Sequence, residues 1–136
     1  MNRLPGRIDA VETAGSIALV DVMVGTQRFT ATLVGAGDEV AAWQPGMPVT
    51  LMFKETEVSL AKNLSGLISM RNRIPAQVVS IERGRLLTRV VLDAAGYSIE
   101  SVITTRSSHA LALDVGDIVE GLVKANEMTV MAGPVA

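Results

Sequence analysis

The sequence predicts an all-β protein with short helices, built as two small five-stranded barrels in tandem. Most segments alternate apolar and polar residues with a period of two, which is typical of strands that bury one face. The chain also aligns with itself without a gap when it is displaced by 70 positions, as a tandem duplication would. Each half of the 136 residues is so short that it would be only marginally stable alone.

The duplication is clearest at the start of each copy. The stretch "NRLPGRIDAVE" (2–12) lies on "NRIPAQVVSIE" (72–82), and the same displacement later matches Gly46 with Gly116 and Lys54 with Lys124. Chance seldom preserves one register over so long a stretch. We therefore predict a first repeat at 1–62 and a second at 67–133, with the joint at about 61–67.

Within the second repeat the pattern predicts five strands and one helix. In the second strand, Val90 and Leu92 share one face while Arg89 and Asp93 lie on the other. A helix of about two turns, which Gly116 terminates, is predicted after the third strand. Five strands with this insertion suggest an OB-like barrel. The predicted elements are "AQVVSIERG" (76–84), "LLTRVVLDAAG" (86–96), "YSIESVIT" (97–104), "SSHALALDVG" (107–116), "DIVEGLVKA" (117–125) and "MTVMAG" (128–133).

The composition excludes several classes of function. The chain has no cysteine, which rules out disulfides and thiolate chemistry. A net charge of −2 without a basic block argues against a nucleic-acid partner, as do only four aromatic residues to stack on bases. The apolar runs are too short to span a bilayer and the N-terminus lacks the apolar block of a signal peptide. We expect a cytoplasmic protein with no membrane partner.

Three motifs, in order, resemble the molbindin (Mop) family, which also occurs as the TOBE module of transport ATPases. They are "SMRN" (69–72), "SVITTRSSHALALDVGD" (101–117) and "LVKANEMTVMA" (122–132). All three lie in the second repeat, and two copies in one chain look like the di-Mop proteins that bind molybdate or tungstate. The resemblance implies Mop barrels in a homo-oligomer, with no cofactor and with a tetrahedral oxyanion held between subunits.

The resemblance also implies the residues of the site. The family's serine and arginine fall on Ser69 and Arg71, its lysine on Lys124 and its backbone amide on Ala125, while Thr104 and Ser107 match hydroxyls given by a facing subunit. Secondary candidates for contact are Met70, Asn72, Ser108 and Lys54. No cationic metal is implied, since molybdenum or tungsten would enter only as the oxyanion.

The residue types themselves suit a dinegative oxyanion. Arginine presents a planar fork of donors, lysine a compact charge, and hydroxyls can rotate their hydrogens toward an anion. Each feature has a common alternative, since Ser-x-Arg-Asn before a strand is usually a solvated turn and Thr or Ser before a helix is usually a cap. His109, expected in the first turn of the helix, has no evident partner carboxylate, so an enzyme is not expected.

The first repeat departs from this pattern. Arg71 corresponds to Met1, Thr104 to Val34 and Ser107 to Gly37, while Ser108 corresponds to Asp38, which we expect to cap the helix. Lys54 survives, but Glu55 beside it can neutralise its charge. The first repeat is therefore predicted to be a structural partner or to contribute only to shared sites.

The sequence leaves two functions open. The leading prediction is cytoplasmic storage or homeostasis of molybdate or tungstate by a homo-oligomer, with a trimer favoured over a dimer. The alternative is a ligand-free or sensing module that supports oligomerisation, related to the tails of molybdate importer ATPases or molybdate-responsive regulators, with such an ATPase as a partner. The sequence does not distinguish molybdate from tungstate or sulfate, because all three accept from the same donors.

Overall fold

A computed structural model describes residues 1–135, which form ten strands, two short helices and two single 3-10 turns. The all-β class predicted from the sequence is confirmed. The first seven elements are β1 (Asn2–Ala14), β2 (Ile17–Val24), β3 (Gln27–Val34), α1 (Gly37–Val40), β4 (Pro48–Phe53), a 3-10 turn (Glu55–Glu57) and β5 (Ser59–Ala61). The last seven are β6 (Asn72–Arg83), β7 (Leu87–Ala94), β8 (Tyr97–Thr104), α2 (Thr105–Ala110), β9 (Ile118–Val123), a 3-10 turn (Ala125–Glu127) and β10 (Thr129–Ala132).

Unit 1 contains Met1–Phe53 and the C-terminal segment that begins at Lys124. Its five antiparallel strands form one curled sheet in the order β10-β4-β1-β2-β3. Alternate residues of β2 point inward, so that Val20 and Val22 are fully buried while Leu19 is exposed. Leu51 and Phe53 of β4 complete this core. The alternation read from the sequence thus corresponds to an inner and an outer face of the sheet.

Unit 2 contains Lys54–Val123, and its sheet has the order β5-β9-β6-β7-β8. Val90 and Leu92 are fully buried while Arg89 and Asp93 are exposed, as predicted. A buried hydrogen bond closes the barrel, because the Ser101 hydroxyl of β8 donates to the Val58 carbonyl at 2.7 Å. Unit 2 therefore has its own apolar core and a hydrogen bond that connects β8 to the segment before β5.

The elements of the two repeats match at the displacement of 70 residues. Even an irregularity is duplicated: the pairing of β1 with β2 shifts between Ile8 and Ala10, and that of β6 with β7 shifts between Val78 and Ser80. A β-bulge bends a strand and increases its twist, which a small closed sheet requires. The duplication thus preserved the bend as well as the strands.

The compact units divide the chain at other places than the predicted repeats. β5, at the end of the first repeat, pairs with β9 of unit 2, whereas β10, at the end of the second repeat, pairs with β4 of unit 1. The two final strands are similarly short, with three residues in β5 and four in β10, so each can complete the sheet of the other repeat. The limits 1–62 and 67–133 remain a prediction about the duplication in the sequence.

The predicted helix differs from the observed one. α2 begins at Thr105 and ends at Ala110, so that His109 lies in its last turn and not in its first. The apolar letters that follow belong to a turn, where Ala112 adopts a positive φ of 46° and Gly116 one of 94°. Gly116 therefore serves the turn before β9 and does not end the helix. In the first repeat, α1 is capped by Ala36 with no side-chain bond, so Asp38 is not its cap.

Candidate functional site

The hydroxyls of Thr104 and Ser107 lie together at the junction of β8 and α2. Thr104 caps the helix, since its Oγ1 accepts from the Ser107 N–H at 3.1 Å and donates to the Ser107 Oγ at 2.8 Å. Both side chains are exposed. Because the Ser107 oxygen accepts from Thr104, its own proton is left to donate outward. This pair is the part of the predicted site that the structure brings together.

Ser108, a secondary candidate, has a different environment from Ser107. It is fully buried, its hydroxyl donates to the Thr105 carbonyl at 2.7 Å, and it accepts from Arg83 Nε at 3.1 Å. Arg83 also donates to the Leu113 carbonyl at 2.7 Å, so one guanidinium holds both α2 and the turn behind it. Ser108 is thus used inside unit 2. Arg83 was not among the residues predicted from the sequence, where the one signal is its replacement by Thr13 in the first repeat.

The "SMRN" segment leads into β6 of unit 2. Ser69 and Arg71 are exposed, Met70 is half-buried, and Asn72 is 1% exposed. The Asn72 amide donates to the Val123 carbonyl at 3.1 Å, which ties the first residue of β6 to the last of β9. Asn72 therefore serves the sheet, while Ser69 and Arg71 keep their side chains at the surface.

Lys124 and Ala125 follow β9 and belong to unit 1. Lys124 is exposed at the start of a 3-10 turn, where its carbonyl accepts from the Glu127 N–H at 3.0 Å, and Ala125 is half-buried. Lys54 has the same place in the first repeat, exposed before the turn Glu55–Glu57. Within the described residues, neither Arg71 nor Lys124 has a carboxylate at ion-pair distance.

A second lysine, Lys62, was not identified from the sequence. Its ammonium donates to the carbonyls of Leu111 and Ala112 at 3.1 and 3.0 Å and to Asp117 Oδ2 at 2.9 Å. Lys62 therefore links the segment between the two repeats (61–67) to the turn that follows α2. Donation from the Asp114 N–H and from Lys62 holds the pKa of Asp117 below its usual value.

The corresponding junction of the first repeat has no hydroxyl pair. β3 ends at the exposed Val34, and the first turn of α1 carries the carboxylates of Asp38 and Glu39. Carboxylates can only accept at neutral pH and repel an anion. At the start of α1 the first repeat thus has carboxylate acceptors, whereas the second repeat has hydroxyl groups at the start of α2.

No group of metal-ligating side chains occurs within residues 1–135. The described helices are also all too short or too polar to cross a membrane.

Comparison with known proteins identifies the family. The TOBE domain pattern matches residues 1–60 and again 68–130, which together make up most of the chain. The chain belongs to the TOBE domain family. Both repeats are therefore TOBE domains, and the predicted family is confirmed.

Several relatives of this TOBE protein have names that refer to molybdenum. It is 34% identical over 125 residues to the molybdenum import ATP-binding protein ModC of Brucella abortus. This match covers 87% of this chain and 35% of the relative. It is 28% identical over 127 residues to the molybdenum transport protein ModE of Herbaspirillum seropedicae, covering 91% of this chain and 47% of the relative. The chain thus spans between a third and a half of the length of these relatives.

A solved structure has the same fold along the whole chain. The cytoplasmic molybdate-binding protein ModG, in a form with molybdate bound, superposes with a TM-score of 0.91, covering 97% of this chain and 96% of that one at 24% identity. The likeness confirms two tandem five-stranded barrels.

Proposed function

We propose that this TOBE protein binds molybdate or tungstate in the cytoplasm, for storage or homeostasis and without catalysing a reaction. The observation that carries the proposal is the set of donors on the second repeat. Ser69, Arg71 and Ser107 are exposed with their donors directed to no carboxylate among the described residues, and the exposed Lys124 belongs to the same repeat. The names of the relatives, ModG among them, support molybdate as the anion.

The charges and donors fit a dinegative tetrahedral ion. Arg71 can give two parallel hydrogen bonds and Lys124 adds a compact charge, so two cations would balance two negative charges. The Ser107 hydroxyl adds a neutral donor whose orientation is fixed by Thr104. Each charged hydrogen bond contributes about 1.5–3 kcal/mol, so a few of them are sufficient for micromolar affinity after immobilisation of the ion.

We further propose that the sites form between subunits of a homo-oligomer, with a trimer favoured over a dimer. Donors of one chain would then face hydroxyls of the next, and association would cover exposed apolar side chains of the small units. In this proposal Ser69, Arg71, Lys124 and the Ala125 amide contact the ion from one side, and Thr104 and Ser107 from the other. Met70 and Lys54 are secondary contacts.

A calorimetric titration tests the proposal. Molybdate and tungstate should bind with measurable heat, and Arg71→Ala should weaken binding about tenfold to a hundredfold, the loss expected for one charged contact. Arg85→Ala is the matched control, because Arg85 is an equally exposed arginine of unit 2 in the turn before β7 and should leave affinity unchanged. Unchanged affinity of Arg71→Ala would refute the assigned site, and absence of heat with every oxyanion would refute the function.

A second function is favoured by the length of the relatives. Because the chain matches a third of the import ATP-binding protein ModC, it could act as a sensing or oligomerisation module alongside an importer ATPase. In that case molybdate would leave the melting temperature unchanged, while mixing with the ATPase would change the hydrodynamic size.

A further inference from the structure

A groove lies on the outer face of unit 1, and none of the residues that line it is assigned to the oxyanion site. It has a volume of about 290 Å³ and is lined by Arg3, Thr50, Met52, Met131, Ala132 and Pro134. Strand register explains the lining. Arg3 pairs with Met52, which pairs with Thr129, while Thr50 pairs with Met131 in the next row on the same face. The groove therefore crosses β1, β4 and β10.

A hydrogen bond connects the two sides of the groove, β4 and the segment after β10. Thr50 is 6% exposed, and its hydroxyl donates to the Gly133 carbonyl at 3.1 Å, which holds the segment after β10 against the sheet. Arg3 is exposed, and among the described residues it has no carboxylate within ion-pair distance. A cation with no carboxylate partner among residues 1–135 thus lies beside two thioether side chains, one of which, Met131, is 52% exposed.

In the second repeat the arginine at the equivalent position has a carboxylate partner. Arg73, its counterpart at the displacement of 70, forms a fork with Glu120 through Nε–Oε2 at 2.8 Å and Nη2–Oε1 at 2.7 Å. The hydrogen bond from Arg73 lowers the pKa of Glu120. The residue equivalent to Glu120 in unit 1 is Thr50. Unit 1 thus keeps the guanidinium of a cross-strand pair and lacks its carboxylate.

We propose that this groove binds a small organic carboxylate with a short aliphatic body. The carboxylate takes the place on Arg3 that Glu120 takes on Arg73, where the planar fork matches two oxygens. The aliphatic body lies along Met52 and Met131, whose flexible thioethers adapt to irregular apolar shapes. The volume is at the small end for ligand pockets, which selects a body of about six carbons.

A tetrahedral oxyanion fits this groove poorly. One exposed guanidinium and a largely apolar lining leave most oxygens of such an ion without donors. The groove is therefore a site of different chemistry from the oxyanion site, and it does not depend on that assignment.

Methyl NMR can test the proposal directly, because the chain has seven methionines and two of them line the groove. In protein with 13C-labelled methionine methyl groups, sodium hexanoate should shift the signals of Met52 and Met131 saturably, with a Kd on the order of 1 mM. The buried Met128 serves as an internal control that should not shift. Titration with 1-hexanol, which has the same body without the charge, and with sodium sulfate, which has charge without the body, should give no saturable shift.

Two variants decide the role of the charge. Thr50→Glu supplies an internal carboxylate as in unit 2 and should weaken hexanoate binding at least tenfold, and Arg3→Gln should do the same by removing the cation. Arg7→Gln is the control, since Arg7 lies on the same strand but donates to the Gly46 carbonyl. The proposal is overturned if hexanoate gives no saturable shift, if hexanol or sulfate matches it, or if both Thr50→Glu and Arg3→Gln bind as tightly as the unaltered chain.

Discussion

Adjacent serines of α2 differ in almost every physical respect. Ser107 is exposed and its hydroxyl accepts from Thr104, which leaves its proton for a ligand. Ser108 is fully buried; its hydroxyl donates to the Thr105 carbonyl, and the hydroxyl oxygen accepts from Arg83 Nε. The two side chains are chemically identical, so what they do is set by which face of a six-residue helix they occupy.

This difference predicts a separation of affinity from stability. Ser107→Ala should weaken molybdate binding severalfold and leave the free energy of unfolding nearly unchanged, because only an exposed hydroxyl is lost. Ser108→Ala should lower the free energy of unfolding by about 1–3 kcal/mol, because a fully buried hydroxyl that accepts from Arg83 and donates to the Thr105 carbonyl is lost. Calorimetric titration and urea denaturation of both variants measure the two effects. A stable Ser108→Ala protein, or a destabilised Ser107→Ala protein, would contradict the assignment.

The sequence points to candidate donors for the proposed site, but not to the hydrogen bonds that each side chain makes in the fold. "SMRN" and the Thr-Ser cluster identified Arg71, Thr104 and Ser107 because a motif records residue type and order. Ser108 and Asn72 were grouped with them for the same reason, yet their amide and hydroxyl are used in unit 2. Burial depends on partners that are distant in the chain, such as Arg83 for Ser108, and no local pattern contains that information.

At the scale of elements, the strands were predictable and their assembly was not. Alternation identified β6 to β10 because one face of each strand is buried, whichever sheet it joins. For the same reason the sequence pattern does not reveal that β5 and β10 are exchanged between the sheets. An apolar face packs equally well on the core of either repeat. The helix was placed too late because "LALDVG" is apolar, whereas the positive φ of Ala112 and the Asp114–Asp117 bond make it a turn.

The exchange can be tested with a matched pair of cavity variants. Met128, 1% exposed before β10, belongs to unit 1, although most of that unit lies before residue 54. Met128→Ala should therefore cost about 2–5 kcal/mol and reduce the hydrogen-exchange protection of amides in β1 to β4. Val58→Ala, at the equivalent position, should instead expose amides of β6 to β9. Loss of protection in β6 to β9 on Met128→Ala would show that each repeat keeps its own last strand.

At the scale of the whole molecule, the small units have apolar surface that they do not bury themselves. In unit 2, Val115 and Ile118 are 63% and 70% exposed, and Val79 is 52% exposed. These residues are neighbours, because the Gly116 N–H donates to the Val78 carbonyl at 2.8 Å and the Val78 N–H to the Asp117 carbonyl at 2.9 Å. Several exposed apolar side chains on neighbouring segments are typical of a surface covered by another subunit.

Subunit mass and ion count together test how the repeats divide their roles. Light scattering should give about three times the 14.3 kDa of one chain, as a homotrimer requires. Molybdate titration should saturate near one ion per chain, since only the second repeat has the hydroxyl pair while the first has Asp38 and Glu39 at the start of α1. Two intact repeats would bind more ions per chain, because each would supply its own donors. A monomeric mass would refute assembly between subunits, and two or more ions per chain would show that the first repeat also binds.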